Sequence, residues 1–302
     1  MKLYAPNYYS RFACIADRCR HSCCVGWEID IDEDTLEKYS SLNGEGYSKE
    51  IKESIEYEQT PHFRLTEGDR CPHLDERGLC KIIKSLGEGY LCNICDAHPR
   101  FFNETPRGLE AGLGLSCEEA ARIILSSDDY KTIEAVGEAK GNEISADFDP
   151  KPFRDRLFAI LSDRSLPYTE RLSKIYETFN VSPARLTDGE WREALSALEY
   201  LDESHRALFF DYSSRLDTPK MTETEMKLER ALAYFIYRHT GGATDDAEAG
   251  AALGFSLFCE RLLASMIRER PDIELEELAR ILSEELEYSE DNTAALTFEF
   301  YM

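Results

Sequence analysis

Ten cysteines occur in the chain, and nine of them fall within its first 117 residues. They are spaced as Cys14-x4-Cys19-x3-Cys23-Cys24, Cys71-x8-Cys80, Cys92-x2-Cys95 and Cys117. Thiolates are soft ligands suited to zinc and to iron–sulfur clusters, and a C-x2-C pair lets two of them grip one metal from a tight turn. Adjacent Cys23 and Cys24 point to opposite sides of a regular strand, so they converge only in a turn, or one ligates while the other packs. A closed centre takes about four ligands, so these thiols suffice for one site with spares or for two. Spacing does not separate zinc from iron–sulfur. The radical-type loop C-x3-C-x2-C is absent, because Gly26 stands where its third cysteine would be. His21, His73 and His98 lie near these cysteines and are possible substitutes, although a hydrogen-bonding role is the plainer one. Cys117 is expected at a helix N-terminus, where the dipole favours thiolate. Cys259 lies mid-helix among apolar residues and reads as a small buried hydrophobe.

The surroundings narrow the chemistry. Thirty-five basic side chains against 59 acidic ones leave a net charge of −24. A phosphate backbone needs a basic face, so nucleic acid is not an expected partner. The most apolar stretch, Ala251 to Ile267, is interrupted by Glu260 and Arg261, which argues against a membrane span. The start, MKLYAPNYYSRF, lacks the apolar core of an export signal. The expected location is therefore the cytoplasm, where disulfides are rare and clustered thiols serve metals instead.

Elements that could position such a centre are short in the first half. Val25, Trp27, Ile29 and Ile31 alternate with polar or small residues, which predicts one short strand, and Phe63 to Leu65 a second. Asp32 is placed to cap a helix through Leu36 and Tyr39. A charged helix is expected near Ser48 to Tyr57, and another from Gly78 to Leu86, stopped by Gly87. Ser116-Cys117-Glu118-Glu119 has capping-box spacing before Ile123 and Ile124. Gly141 to Pro152 reads as a linker, with Pro150 and Pro152 as breakers. Beyond it, apolar faces recur at helical spacing: Phe153/Leu157/Ile160/Leu161, then Leu172/Ile175/Tyr176/Phe179. Capping boxes at Thr187/Glu190 and Thr222/Glu225 open two more helices, one through Trp191, Leu195, Leu198 and Leu201, one through Leu228 to Ile236 and ended by Gly241-Gly242. Ala247 to Ile267 is apolar on most sides and predicts a central buried helix, followed by an amphipathic one from Leu275 to Leu286. The expected class is mainly α, with an irregular cysteine-rich domain over residues 1–128, carrying one or two short strands, and an all-helical bundle over 150–302.

Four segments, FACIADRCRHSCCVGWEIDID, RCPHLDERGLC, LGEGYLCNICDAHPRF and GLGLSCEEAAR, resemble in order the flagellin lysine-N-methylase family. They share a weaker pattern with zinc- or iron-chelating cysteine-cluster domains. The resemblance is dense from about Tyr8 to Arg122 and thin elsewhere. It implies methyl transfer from S-adenosylmethionine to lysine side chains of a protein substrate, flagellin, with a 4Fe–4S cluster, zinc being the alternative. The matching positions are Cys14, Cys19, Cys23, Cys24, Cys71, Cys80, Cys92, Cys95 and Cys117.

Such a reaction needs a neutral amine, and a free lysine has a pKa near 10.4. His98 is the candidate base. Glu118 and Glu119 are placed to attract the ammonium or to cap a helix. Tyr9 and Trp27, with Tyr8, are candidates for an aromatic cage, and Arg100 for the donor's carboxylate. No Gly-rich dinucleotide turn is present. Gly112-Leu113-Gly114 is the nearest string, and it runs straight into the segment read as a helix cap. A non-catalytic redox sensor or metal carrier, and a metal-stabilised scaffold, are the competing expectations.

Overall fold

The structure is a computed structural model that describes residues 1–140, 148–216 and 222–301. The opening strand β1 (Lys2–Pro6) and a helical turn over Tyr9–Arg11 belong to one compact unit, Met1–Phe12 with Arg100–Met302. Between them Ala13–Pro99 forms the other. The compact units therefore part at 12/13 and 99/100 rather than near 128.

Within Ala13–Pro99, α1 (Glu33–Ser41) begins where Asp32 accepts the Thr35 amide, as its side chain type predicts. Then come α2 (Tyr47–Glu53), the two-residue strands β2 (Ile55–Glu56) and β3 (His62–Phe63), α3 (Lys81–Leu86) and α4 (Asn93–Ala97). Gly87 ends α3 at φ +93°, a conformation L side chains rarely adopt. The alternating Val25–Ile31 segment does not form a strand. It makes isolated bridges, Val25 with Arg70 and Asp30 with His62, because no neighbour runs beside it for longer. Its Ile29 and Ile31 still turn inward with Tyr39, Ile51, Phe63 and Ile82.

The second unit contains more strand than expected. It has β4 (Arg100–Thr105), β5 (Gly108–Leu113), helix α5 (Glu118–Leu125) and β6 (Ile133–Glu138), in a four-stranded sheet of order β4-β5-β1-β6. With β2 and β3, the first half holds six strands among the described residues, not one or two. β1 runs parallel to β5, with Leu3 opposite Leu109, and antiparallel to β6. Gly108 closes the β4–β5 hairpin at φ +138°, and a Cβ there would lie 2.4 Å from the Lys2 carbonyl oxygen. The capping box read at Ser116–Glu119 is absent. Cys117 is the N-cap of α5 and makes no side-chain cap, because the helix begins later than that spacing assumes.

The rest is helical: α6 (Pro150–Leu161), α7 (Tyr168–Phe179), α8 (Asp188–Ala197), α9 (Arg206–Phe209), α10 (Thr222–Thr240), α11 (Asp246–Glu269), α12 (Leu275–Leu282), a π-helical turn over Ser283–Glu287, and α13 (Glu290–Phe298). Of the linker read over Gly141 to Pro152, residues 141–147 lie outside the described residues. Pro150 and Pro152 open α6 instead of breaking the chain, since the first helical turn needs no amide donor there and Asp149 caps it. The Thr187/Glu190 capping box is formed on both sides. The corresponding box at Thr222 rests on a side chain outside the described residues. α11 is long and apolar enough to cross a membrane by composition, but it is buried from Ala251 to Met266 as the central helix of the bundle. Its Glu260 and Arg261, both fully buried, satisfy one another through two hydrogen bonds, and Tyr168 donates to Glu260 at 2.9 Å.

Candidate metal centre

Five thiols meet inside Ala13–Pro99. Cys71 and Cys92 are buried in the unit's core, and Cys24, Cys80 and Cys95 pack half-buried against it. They come from three separate segments. The Cys71 amide donates to the Cys24 carbonyl at 2.8 Å, which places the first segment beside the second. A turn from Leu74 to Cys80 brings the second segment back on itself. Asp75 accepts the amides of Arg77 and Leu79, both at 2.9 Å, and Gly78 supplies φ +74°. Cys80 then sits at the N-terminus of α3. Cys92 occupies the same place on α4, and the Cys95 amide donates back to its carbonyl at 2.9 Å. Asp32 links this turn to α1, accepting the Asn93 amide at 2.7 Å as well as that of Thr35.

The thiols act on one another electrostatically. A hydrogen bond from Cys95 to Cys92 lowers the Cys92 thiol and raises that of Cys95, and burial and the nearby Cys24 and Cys71 raise Cys95 further. Burial pushes Cys71 up to about 11, with Cys80 and Cys92 adding to the shift. Burying several anionic sulfurs together is unfavourable without a cation among them. Two tyrosines wall the group. Tyr39 on α1 donates to the Tyr90 carbonyl at 2.6 Å and lies 3.8 Å from the Cys92 sulfur. Tyr47, opening α2, has its hydroxyl 3.0 Å from His73 Nδ1. Burial and the nearby thiols raise both phenols. Nothing in the sequence marked Tyr39 and Tyr47, since each sits in an ordinary helical position.

The remaining sequence candidates lie outside this buried cluster. Cys23 is exposed and hydrogen-bonded to Cys24. Cys14 is exposed, accepting the Ala16 amide at 3.4 Å, and Cys19 is half-buried; neither joins the buried cluster. His73 is a buried hydrogen-bonding residue, with Ser54 Oγ 3.0 Å from its Nε2 and Tyr47 on its Nδ1. Trp27 and His98 are half-buried in the same unit, His98 closing α4. Cys117, Tyr9, Arg100 and Glu118 belong to the other unit. There Arg100 stacks on Phe12 and Tyr9, 5.4 and 5.8 Å from their ring centres, and hydrogen-bonds Tyr9. Glu118 opens α5, and Glu119 beside it is clamped by Arg122 at 2.7 and 2.5 Å. Cys259 is wholly buried, as expected.

The donor set fits a soft metal. Zinc with bonds of about 2.3 Å would hold its four sulfurs about 3.8 Å apart. Among the described residues, no three cysteine sulfurs lie mutually within 4.8 Å. His205, Glu284 and Glu285 do lie that close, but their oxygens are engaged. Glu285 accepts the Leu201 and Asp202 amides and pairs with His205 at 2.7 Å, and Glu284 pairs with Arg280.

The chain is similar to curated proteins over about two fifths of its length. It is 30% identical over 130 residues to a lysine-N-methylase of Salmonella typhimurium, covering 41% of this chain and 32% of that protein. It is 29% identical over 130 residues to a lysine-N-methylase of Salmonella choleraesuis. With the flagellar biosynthetic protein FliU of Salmonella muenchen the identity is 29% over 141 residues, 45% of this chain and 82% of that protein. These similarities support a relation to the flagellin lysine-N-methylase family. The chain matches only about a third of the length of the two lysine-N-methylases. No family model matches the chain, and no solved structure matches it.

Proposed function

We propose that the protein is a cytoplasmic protein-lysine N-methyltransferase that takes its methyl group from S-adenosylmethionine, acts on flagellin, and carries an iron–sulfur centre on its cysteine unit. The observation that carries the reading is the gathering of five thiols from three segments in a chain related to lysine-N-methylases. Cys24, Cys71, Cys80, Cys92 and Cys95 supply the ligands. Bound there, the cluster supplies a compact, redox-capable positive centre that offsets the buried thiolates. Tyr39 and Tyr47 exclude water from it. His98, in the cysteine unit, is the base that takes the proton the lysine must lose. Trp27, in the same unit, shields the methylated product. Transfer requires the amine nitrogen aligned with the sulfonium methyl carbon, so positioning accounts for much of the rate.

The test is incubation of anaerobically purified, iron-loaded protein with labelled donor and flagellin, read by mass spectrometry at lysine. The expected result is label on lysine, abolished by Cys95→Ser and retained by Cys14→Ser. His98→Ala should slow transfer about 10²-fold. No label on flagellin or on a lysine-rich panel, with the centre loaded, overturns the reading and leaves a metal-binding sensor or scaffold.

A further inference from the structure

Helix α1 grips the segment that carries Cys92 at four points. Lys38 Nζ donates to the Gly89 carbonyl at 3.0 Å, Tyr39 Oη to that of Tyr90 at 2.6 Å and Thr35 Oγ1 to that of Leu91 at 3.4 Å. Asp32, which caps the helix, accepts the Asn93 amide at 2.7 Å. Of these side chains, Tyr39 also reaches a sulfur, its oxygen lying 3.8 Å from Cys92 Sγ. Tyr39 and Cys92 are both fully buried, so the protein itself sets their hydrogen bonding.

A phenol has one proton to donate, and that decides the roles. While Cys92 keeps its own proton, its S–H donates to the Tyr39 oxygen and Tyr39 donates to the Tyr90 carbonyl. When Cys92 binds a metal, its thiol proton leaves to solvent and its sulfur becomes an acceptor only. A buried anionic sulfur is then a stronger acceptor than a neutral carbonyl. Rotation about the Tyr39 C–O bond turns the hydroxyl proton from Tyr90 to Cys92. The segment stays in place meanwhile, because Lys38, Thr35 and Asp32 still hold it. Tyr47 also walls the thiols, but its hydroxyl meets His73 Nδ1 at 3.0 Å instead of a sulfur.

We infer that Tyr39 is a positioning residue for the metal centre, hydrogen-bonding the metal-bound Cys92 sulfur and steadying it on the metal. The inference rests on Cys92 being a ligand, as proposed above. It holds for zinc and for iron–sulfur alike, with or without methyl transfer. Outer partners of this kind are worth about 10-fold or more in metal affinity.

The test loads the full-length protein with an NMR-active cadmium isotope alone and looks for exchangeable protons coupled to the metal through a hydrogen-bonded sulfur. The expected result is one such proton that cross-relaxes with the Tyr39 ring. It should vanish in Tyr39→Phe and persist in Tyr47→Phe. Chelator competition should show cadmium held about tenfold more weakly by Tyr39→Phe than by the parent. A ring that merely packs would not produce the coupled proton, and the parent spectrum alone decides if Tyr39→Phe does not fold. No coupled proton beside the Tyr39 ring, its survival in Tyr39→Phe, or equal cadmium affinity in the folded variant overturns the inference, leaving Tyr39 as a brace between α1 and Tyr90. Cys92→Ser separates the two readings. Full-affinity cadmium binding by that variant removes Cys92 from the centre and the inference with it. A Cys92-dependent site without the coupled proton keeps the centre and ends the inference alone.

Discussion

The two compact units of this chain are stabilised by different means. Across Ala13–Pro99 the buried apolar cluster contains ten residues, two of them cysteines, joined by two-residue strands and helices of nine residues or fewer. The helical unit buries forty-five among the described residues, around a 24-residue central helix. A small unit with so few buried apolar side chains gains less from burial, and a metal held by its cysteines, as proposed above, would add to its stability. The larger unit can also hold charge without a metal. Glu229 is wholly buried, yet it accepts Tyr130 and Arg164 at 2.6 Å and Arg171 at 2.5 Å. In the larger unit this buried carboxylate is matched by hydrogen-bond partners, whereas the smaller unit gathers thiols in its core.

The sharpest way to break this contrast is to remove the metal. Binding energy in such sites is folding energy, on the order of 10 kcal/mol for a structural metal. Hydrogen exchange should then show amides of 13–99 opening while those of α10 and α11 stay protected. Simultaneous exposure of both would mean one cooperative unit and end the comparison.

The next effect belongs to the apolar side. Trp191 is fully buried, with Phe258 and Phe300 ring centres 4.4 and 5.4 Å from its own. Trp191→Ala should cost about 3–5 kcal/mol in denaturant unfolding of the helical unit. Metal content should be unchanged, and a loss of it would show that the units share their stability.

Asp32→Ala should cost about 1–2 kcal/mol in the cysteine unit, because two amides lose their acceptor. Burial works to raise Asp32, but the amides of Asn93 and Thr35 hold it below the ordinary carboxylate range. A carboxyl with a depressed folded pKa contributes stability above its unfolded value of about 3.9, lost as pH falls through the folded one. The parent should therefore lose more stability than the variant as pH falls below about 5, measured by acid titration with metal content followed at each pH, because thiolate ligands also protonate in acid. Parallel curves would remove Asp32 from the account. The smallest effect is Thr187→Ala, which undoes one capping box for about 0.5–1 kcal/mol in a thermal melt of the helical unit.

Local signals were legible where the chemistry itself is local. Asp32 caps α1, Gly87 stops α3, and Thr187 with Glu190 opens α8, because each needs only a side chain and an amide within a few residues. The all-round apolar run of α11 could be satisfied only in an interior. Prolines 150 and 152 were misread because the same ring that breaks a helix interior suits its first turn.

The sequence by itself determined that thiols dominate the first third, that the second half is helical, and that the surface is acidic. Only the tertiary structure decided which thiols share a neighbourhood and which residues close the sheet. β1 pairs with β5 more than a hundred positions later, and nothing within Lys2–Pro6 names that partner. Cys24, Cys71 and Cys92 converge through turns of 46 and 20 residues, counting 24→71 and 71→92, while Cys117, only 22 positions beyond Cys95, belongs to the other unit. The physical reason is the same in both cases. Helices and caps are satisfied by neighbours in the chain, whereas strand edges and metal ligands are satisfied by whichever distant segment the core brings beside them.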